Sequence, residues 1–167
     1  MGPSISKGEC PKTINTKSPF DAAAYMGTWY EAKADFFFSG PCTTATYALK
    51  DNGDVEVKNR GWFWWFFLSY FTLTGSAGCP AGDAGKCWVG FNPDTSKLIP
   101  TTGIANYNVL DTDYLNYTFI YGCMDTTFGK YETGWILTRD KTPSEAQVNA
   151  WEKDYMALMP DFKGKMT

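Results

Sequence analysis

An all-β fold, an antiparallel barrel or sandwich of eight strands followed by one helix packed outside, is what this sequence predicts. Three observations carry that expectation. Short β-branched and aromatic segments recur at regular spacing, with Gly, Asp and Pro breaks between them. One late segment, 142–159, has helical spacing instead. The 167 residues suffice for a single domain with a real core, and no self-similarity or second domain is apparent, so 1–167 reads as one unit.

The strands follow in order. Residues 1–20 are rich in Pro, Lys, Ser and Thr and read as an extended arm tied down at Cys10. Asp21 to Met26 makes a short helical turn that ends at Gly27, where a tight turn into a strand suits glycine. Residues 28–34 form the first strand, opening with Trp29 and Tyr30. The loop 35–41 carries Phe36, Phe37 and Phe38, which either fold onto the core or await a partner, ligand or membrane. Residues 43–49 are the second strand, and Asp51-Asn52-Gly53 is a hairpin turn. Val55 to Asn59 alternates with period two. From Gly61 to Phe71 both faces are apolar, which reads as the end of one strand, a hairpin near 64–67 and the start of the next, continued by 72–77. Cys79 and Cys87 bound a loop whose spacing suits a local disulfide across a hairpin. Lys86 to Asn92, 97–110, 113–123 and 131–139 complete a barrel region of 28–139.

The helix is expected from Thr142-Pro143-Ser144-Glu145, read as a capping box with proline at the first helical position. Ala146, Val148 or Asn149, Trp151, Tyr155, Leu158 and Met159 recur at helical spacing, and Pro160 stops it.

Composition narrows the function. Aromatic residues make up 17% of the chain, a load that calls for a large core or a large apolar ligand. A net charge of -3 argues against a nucleic-acid partner. Histidine is absent, which removes the commonest general base and metal ligand. No catalytic residue and no metal site are therefore expected, and haem would need another axial ligand. The five cysteines, Cys10, Cys42, Cys79, Cys87 and Cys123, lack metal-ligand spacing, so structural disulfides are expected over zinc, with one thiol left over. Cys42, the plausible free thiol, has no basic neighbour in sequence to activate it. No stretch is long and apolar enough for a transmembrane helix. Met1-Gly2-Pro3 opens no apolar leader, so the chain is either cytosolic or processed; the cysteines favour the secreted, extracellular reading. Asn116-Tyr117-Thr118 is a glycosylation sequon, placed on an expected strand and read as a chance occurrence.

Three motifs then stand in order: Gly27-Thr28-Trp29-Tyr30; Thr112-Asp113-Tyr114 with Asn116-Tyr117; and Trp135-Ile136-Leu137-Thr138-Arg139. Together with the late helix they resemble the lipocalin family over roughly residues 8–160. The resemblance implies an eight-stranded up-and-down barrel, open at one end, holding one apolar ligand. It also places Arg139 over the ring of Trp29 at the closed end, as a structural pair. Gly8-Glu9-Cys10-Pro11, Phe20-Asp21, Cys42 to Tyr47 and Tyr121-Gly122-Cys123 resemble the apolipoprotein D, insect bilin-binding and crustacyanin group. Residues 121–129 look most like the crustacyanins, which bind the carotenoid astaxanthin. By that resemblance Cys10 pairs with Cys123, and Cys42 lacks the carboxyl-terminal partner usual in the group. Cys79 then pairs with Cys87, or Cys42 takes one of them or bonds to another molecule.

The same resemblance puts Tyr47, Asn59 and Trp135 among ligand-contacting side chains; ordinary inward packing is the alternative. Trp62, Trp64, Phe66 and Tyr70, with Phe36, Phe37 and Phe38, are expected around the mouth, gripping a long conjugated molecule. A carotenoid held non-covalently is the expected ligand. A bilin is the alternative, with Arg60, Lys33 and Lys58 as partners for its propionates. A general carrier of fatty acid, retinoid or steroid is a further reading. The aromatic open end also suits a homo- or hetero-dimer, and membrane contact is the less favoured use of it.

Overall fold

The computed structural model describes residues 5–35, 42–63, 69–79, 85–91 and 105–167. Its strands are β1 (Ile5–Ser6), β2 (Gly27–Asp35), β3 (Thr44–Leu49), β4 (Val55–Phe63), β5 (Ser69–Gly78), β6 (Lys86–Gly90), β7 (Tyr107–Thr112), β8 (Tyr117–Thr126) and β9 (Gly129–Thr138). The helices are α1 (Ala22–Tyr25) and α2 (Glu145–Leu158). Strands β2 to β9 pair antiparallel with their neighbours in chain order, and β9 pairs with both β8 and β2. That double pairing closes an eight-stranded barrel and leaves no edge among those strands. The arm adds the short strand β1, which pairs with β9 through Ile5 opposite Tyr131.

Two cores follow from strand alternation. Inside the barrel, Tyr25, Trp29, Tyr47, Val55, Val57, Ala77, Val109, Ile120 and Leu137 pack together. Outside, Phe119, Tyr121 and Ile136 meet Tyr155, Phe162 and Met166 from α2 and the carboxyl-terminal segment. The neighbours Phe119, Ile120 and Tyr121 are almost wholly buried although they point to opposite faces of β8. The run 118–123 is therefore buried on both faces, because the helix covers the outer one. The Cys10–Cys123 disulfide ties the arm to β8 across 113 residues, and Cys79–Cys87 joins the residue after β5 to β6. A loop as long as the first contributes about 5 kcal/mol by chain-entropy reasoning. Cys42 is free and exposed.

Several expected boundaries move. The helix begins two residues later than its sequence suggested. Ser144 is the N-cap, accepting from Gln147 N, while the Gln147 side chain accepts from Ser144 N. Thr142 is diverted because its N–H donates to Asp140 Oδ1 at 2.9 Å, which holds it in the preceding turn. Only Tyr155 on α2 is fully buried; Val148, Trp151 and Met159 are half-buried, while Ala146 and Leu158 face solvent. A helix laid on the convex outside of a barrel needs only a narrow apolar stripe.

Residues 113–116, expected within a strand, form the turn before β8. Asp113 Oδ1 accepts from the N–H groups of Leu115, Asn116 and Tyr117 at 2.7–3.1 Å. Thr112 Oγ1 donates to Tyr117 O and accepts from Tyr114 N. Tyr114 takes φ +66°, and its hydroxyl accepts from Asp21 N at 3.0 Å. Burial alone would raise the Asp113 carboxyl, but the Asn116 side chain and these N–H groups outweigh it and hold it low. That contribution is complete above the ordinary carboxylate range and fades as pH falls through the depressed value. Strand β6 ends at Gly90 rather than Asn92, and the expected residues 97–104 lie outside the described residues.

The closed end is locked by Arg139. Its guanidinium carbon sits 3.7 Å from the Trp29 ring centroid. Its nitrogens donate to Ala24 O, Tyr25 O, Met26 O, Thr28 O and Tyr114 O at 2.8–3.2 Å. Gly27, at φ +97°, leaves the space this requires, since a Cβ there would stand 3.2 Å from Arg139 Nη1. Trp29 Nε1 donates to Tyr25 O at 2.9 Å. Replacing Arg139 by Ala should cost about 3 kcal/mol in urea denaturation, through lost charge-assisted hydrogen bonds and ring contact. Ligand affinity of the surviving folded fraction should be unchanged.

Candidate ligand cavity

The barrel encloses a cavity of about 820 Å³, within the range of small-molecule sites. Its wall is largely aliphatic and aromatic: Ala45, Val57, Leu73, Val89, Ile120 and Leu137 with Trp135 and Tyr131. Inward residues of β3 and β4 come from strict alternation. Tyr47 faces Val57 and Ala45 faces Asn59 across the ladder, so Tyr47 and Asn59 are diagonal neighbours on one face.

At the floor, Tyr107 joins Tyr25 and Tyr47 through hydroxyl contacts of 2.8 Å each, and Tyr25 reaches Thr118 Oγ1 at 3.2 Å. Tyr47 and Tyr107 line the cavity, whereas Thr118 is wholly buried behind them. Desolvation pushes the Tyr25 hydroxyl up to about 12 and raises Tyr47 and Tyr107 further, so all three are neutral hydroxyls near pH 7. Asn59 Oδ1 is shielded from solvent and has no hydrogen-bond partner among the described residues.

Of the residues named in advance for ligand contact, Tyr47, Asn59, Tyr70 and Trp135 line this cavity. Tyr70 stands at the rim, about half exposed, beside the exposed Phe71 and Phe91. Trp62 lies on β4 opposite Tyr70 by register, with its side chain outside the described set. Phe36, Phe37, Phe38, Trp64 and Phe66 lie outside the described residues. Gly27, Trp29, Thr112, Asp113, Tyr114 and Arg139 assemble at the closed end, away from the rim.

The cations considered for a bilin divide. Arg60 lines the cavity, its guanidinium carbon 4.5 Å from the Tyr70 ring centroid. Lys33 does not line it: its ammonium pairs with Glu152 of α2 at 2.9 Å, on the outer face. Lys58 pairs with Glu56 at 2.7 Å, and both belong to the outward parity of β4. The expectation that either lysine serves the mouth is corrected, since neither lines the cavity; Lys58 alternates with the inward Val57 and Asn59, and Arg60, of the same parity as Lys58, reaches the cavity at its rim beside Tyr70. A β-bulge between Glu31 and Lys33 sets the parity of β2.

Tyr107 and Tyr25 were missed as cavity groups by sequence reasoning. Tyr25 precedes the first strand, and Tyr107 sits in a segment read only as a strand. Both reach the floor because α1 folds under the barrel and β7 turns its first residue inward. Tyr107→Phe should lose about 1–3 kcal/mol of stability in chemical denaturation, by unpairing the Tyr47 hydroxyl and taking one of two hydroxyl partners from Tyr25. Combined with Tyr25→Phe, the loss should fall short of the sum of the single losses; strict additivity would contradict a shared hydroxyl chain.

Residues 20–157 match the family model of the lipocalin-like domain. Mouse (Mus musculus) apolipoprotein D is 31% identical over 147 residues, covering 83% of this chain and 70% of the relative. The lobster apocrustacyanin A1 structure superposes with a TM-score of 0.64 at 15% identity, covering 95% of this chain and 91% of that one. Insecticyanin from the tobacco hornworm Manduca sexta gives 0.65 at 20% identity, covering 97% and 85%.

Proposed function

Because this chain belongs to the lipocalin family, we propose that it binds and carries a lipophilic small molecule, an oxygenated carotenoid of the astaxanthin type, inside its barrel. The observation that carries this reading is the cavity of about 820 Å³, walled by apolar side chains and bounded by neutral hydroxyls at its floor. Burial supplies about 0.8 kcal/mol per CH₂-sized unit, so tight retention needs no charged ligand.

The floor adds polarity of a definite sense. The chain Thr118–Tyr25–Tyr107–Tyr47 has four hydroxyl protons for three links, so with each hydroxyl donating to the next in one direction one proton is left at an end. Among the described residues Thr118 has no second hydroxyl partner, and an unpaired donor buried there is costly. The surplus proton therefore belongs at Tyr47, facing the cavity. A ligand end that brings a carbonyl to Tyr47 and a hydroxyl to Asn59 Oδ1 satisfies both. A polyene end ring bearing one keto and one hydroxyl group has that pattern, and its conjugated chain suits the exposed rings of Tyr70, Phe71 and Phe91 at the rim.

A bilin is the second reading, favoured by Arg60 on the cavity wall, where its guanidinium can take a propionate. The two disulfides support a secreted chain, since such bonds persist in oxidising compartments. Carriage without catalysis is part of the proposal, supported by a sequence that has no histidine.

The visible spectrum of the protein from its natural source tests the reading. One polyene band displaced to the red is expected and should survive Arg60→Gln in the reconstituted protein. Paired near-ultraviolet and red bands that weaken with Arg60→Gln would replace the carotenoid by a bilin. A colourless protein yielding extractable fatty acid would overturn both.

A further inference from the structure

Asn116-Tyr117-Thr118 is an acceptor sequence for asparagine-linked sugar. Its expected place within a strand is corrected by the structure: Asn116 is exposed, in the turn between β7 and β8, and only Tyr117 and Thr118 enter β8. We propose that Asn116 is an N-glycosylation site whose oligosaccharide is attached before the barrel closes.

The local geometry accommodates the modification. The backbone of Asn116 is fixed by its N–H donating to Asp113 Oδ1 at 2.7 Å and its carbonyl accepting from Arg139 N at 3.0 Å. Its Nδ2 donates to Asp113 Oδ2 at 2.6 Å. A primary amide has two N–H hydrogens, and that contact uses one. The glycosylated amide keeps one N–H, so the Asp113 contact survives while the sugar projects to solvent. Leu115, the preceding residue, is 76% exposed and gains cover from a sugar alongside it. The turn lies at the Arg139 end of the barrel, so a glycan there leaves the Tyr70–Phe71 rim clear.

Timing follows from Thr118. Its side chain is wholly buried and its hydroxyl contacts Tyr25 at 3.2 Å. An enzyme that must read that hydroxyl has no access once β8 has docked between β7 and β9. Transfer therefore acts on the unfolded chain. Asn116 Nδ2 attacks the anomeric carbon of a polyprenyl-diphosphate-linked oligosaccharide. The C–N bond forms, the anomeric C–O bond breaks, polyprenyl diphosphate leaves, and one Nδ2 proton passes to the transferase base. No oxidation or reduction occurs. The proposal rests on the secreted reading above, because that donor is met in the secretory lumen.

The test is secretion of the full chain from cultured mammalian cells behind a secretion leader. Peptide mapping follows, with a glycan-removing amidase in heavy-oxygen water. The expected result is a glycan on the Asn116 peptide, conversion to labelled Asp on amidase treatment, and loss of the gel shift in Asn116→Gln. Thr118→Ser, which keeps both the sequon and the hydroxyl, should retain the shift. An unmodified Asn116 in secreted protein whose Cys10–Cys123 and Cys79–Cys87 bonds are formed would overturn the proposal while leaving the secreted reading standing. Reduced cysteines and an unmodified Asn116 in the protein from its natural source would overturn both.

Discussion

Arg139 is the group on which the arrangement depends. One guanidinium lies over Trp29 and collects carbonyls from α1, the start of β2 and the turn before β8. The first two are contiguous in sequence and the third is far from both, and each has backbone oxygens that a closed barrel end would otherwise leave unsatisfied. Because a cation fills that role, Trp29 can seal the bottom without a further polar side chain. The cavity above then needs no packing from the floor upward, and its apolar wall can stay open to a guest.

The barrel and its surroundings share one economy. Every strand from β2 to β9 has two neighbours, so the cavity is enclosed by hydrogen-bonded walls rather than by loops. The outer face of β8 and β9 is covered by α2 and the carboxyl-terminal segment, which returns along β2 through Ala34 and Thr167 hydrogen bonds. Apolar area thus sits on both sides of β8, and the inner share is divided between self-contact near Trp29 and the cavity wall. The disulfide from Cys10 to Cys123 fastens the arm to the same strand from outside.

Much of this was legible in the residues. Gly27, Trp29 and Arg139 stand in local motifs, and the turn built on Thr112 and Asp113 uses side chains within five residues of their hydrogen-bond partners. Alternation made Val55 to Asn59 readable as a strand and put Asn59 on the face of Val57. What failed depended on competition or distance. Two overlapping capping boxes exist before α2, and the Asp140 turn decides between them by occupying Thr142 N. Lys33 is assigned outward by a bulge that composition does not mark. The floor hydroxyl chain joins residues 25, 47, 107 and 118, and no local pattern links positions that distant. Asn116 was misplaced because β-branched and aromatic neighbours extended the apparent strand across a turn that Asp113 imposes.

The claim at the centre is that a guest lies within the barrel, between the Tyr47 floor and the Tyr70 rim. Calorimetric titration of unliganded protein with an astaxanthin-type carotenoid, set beside Ala45→Trp, addresses it directly, since Ala45 lines the cavity wall and a larger ring there fills it. One site per chain is expected in the wild type, and its loss in the folded variant. Equal affinity in both would place the ligand elsewhere and contradict the claim.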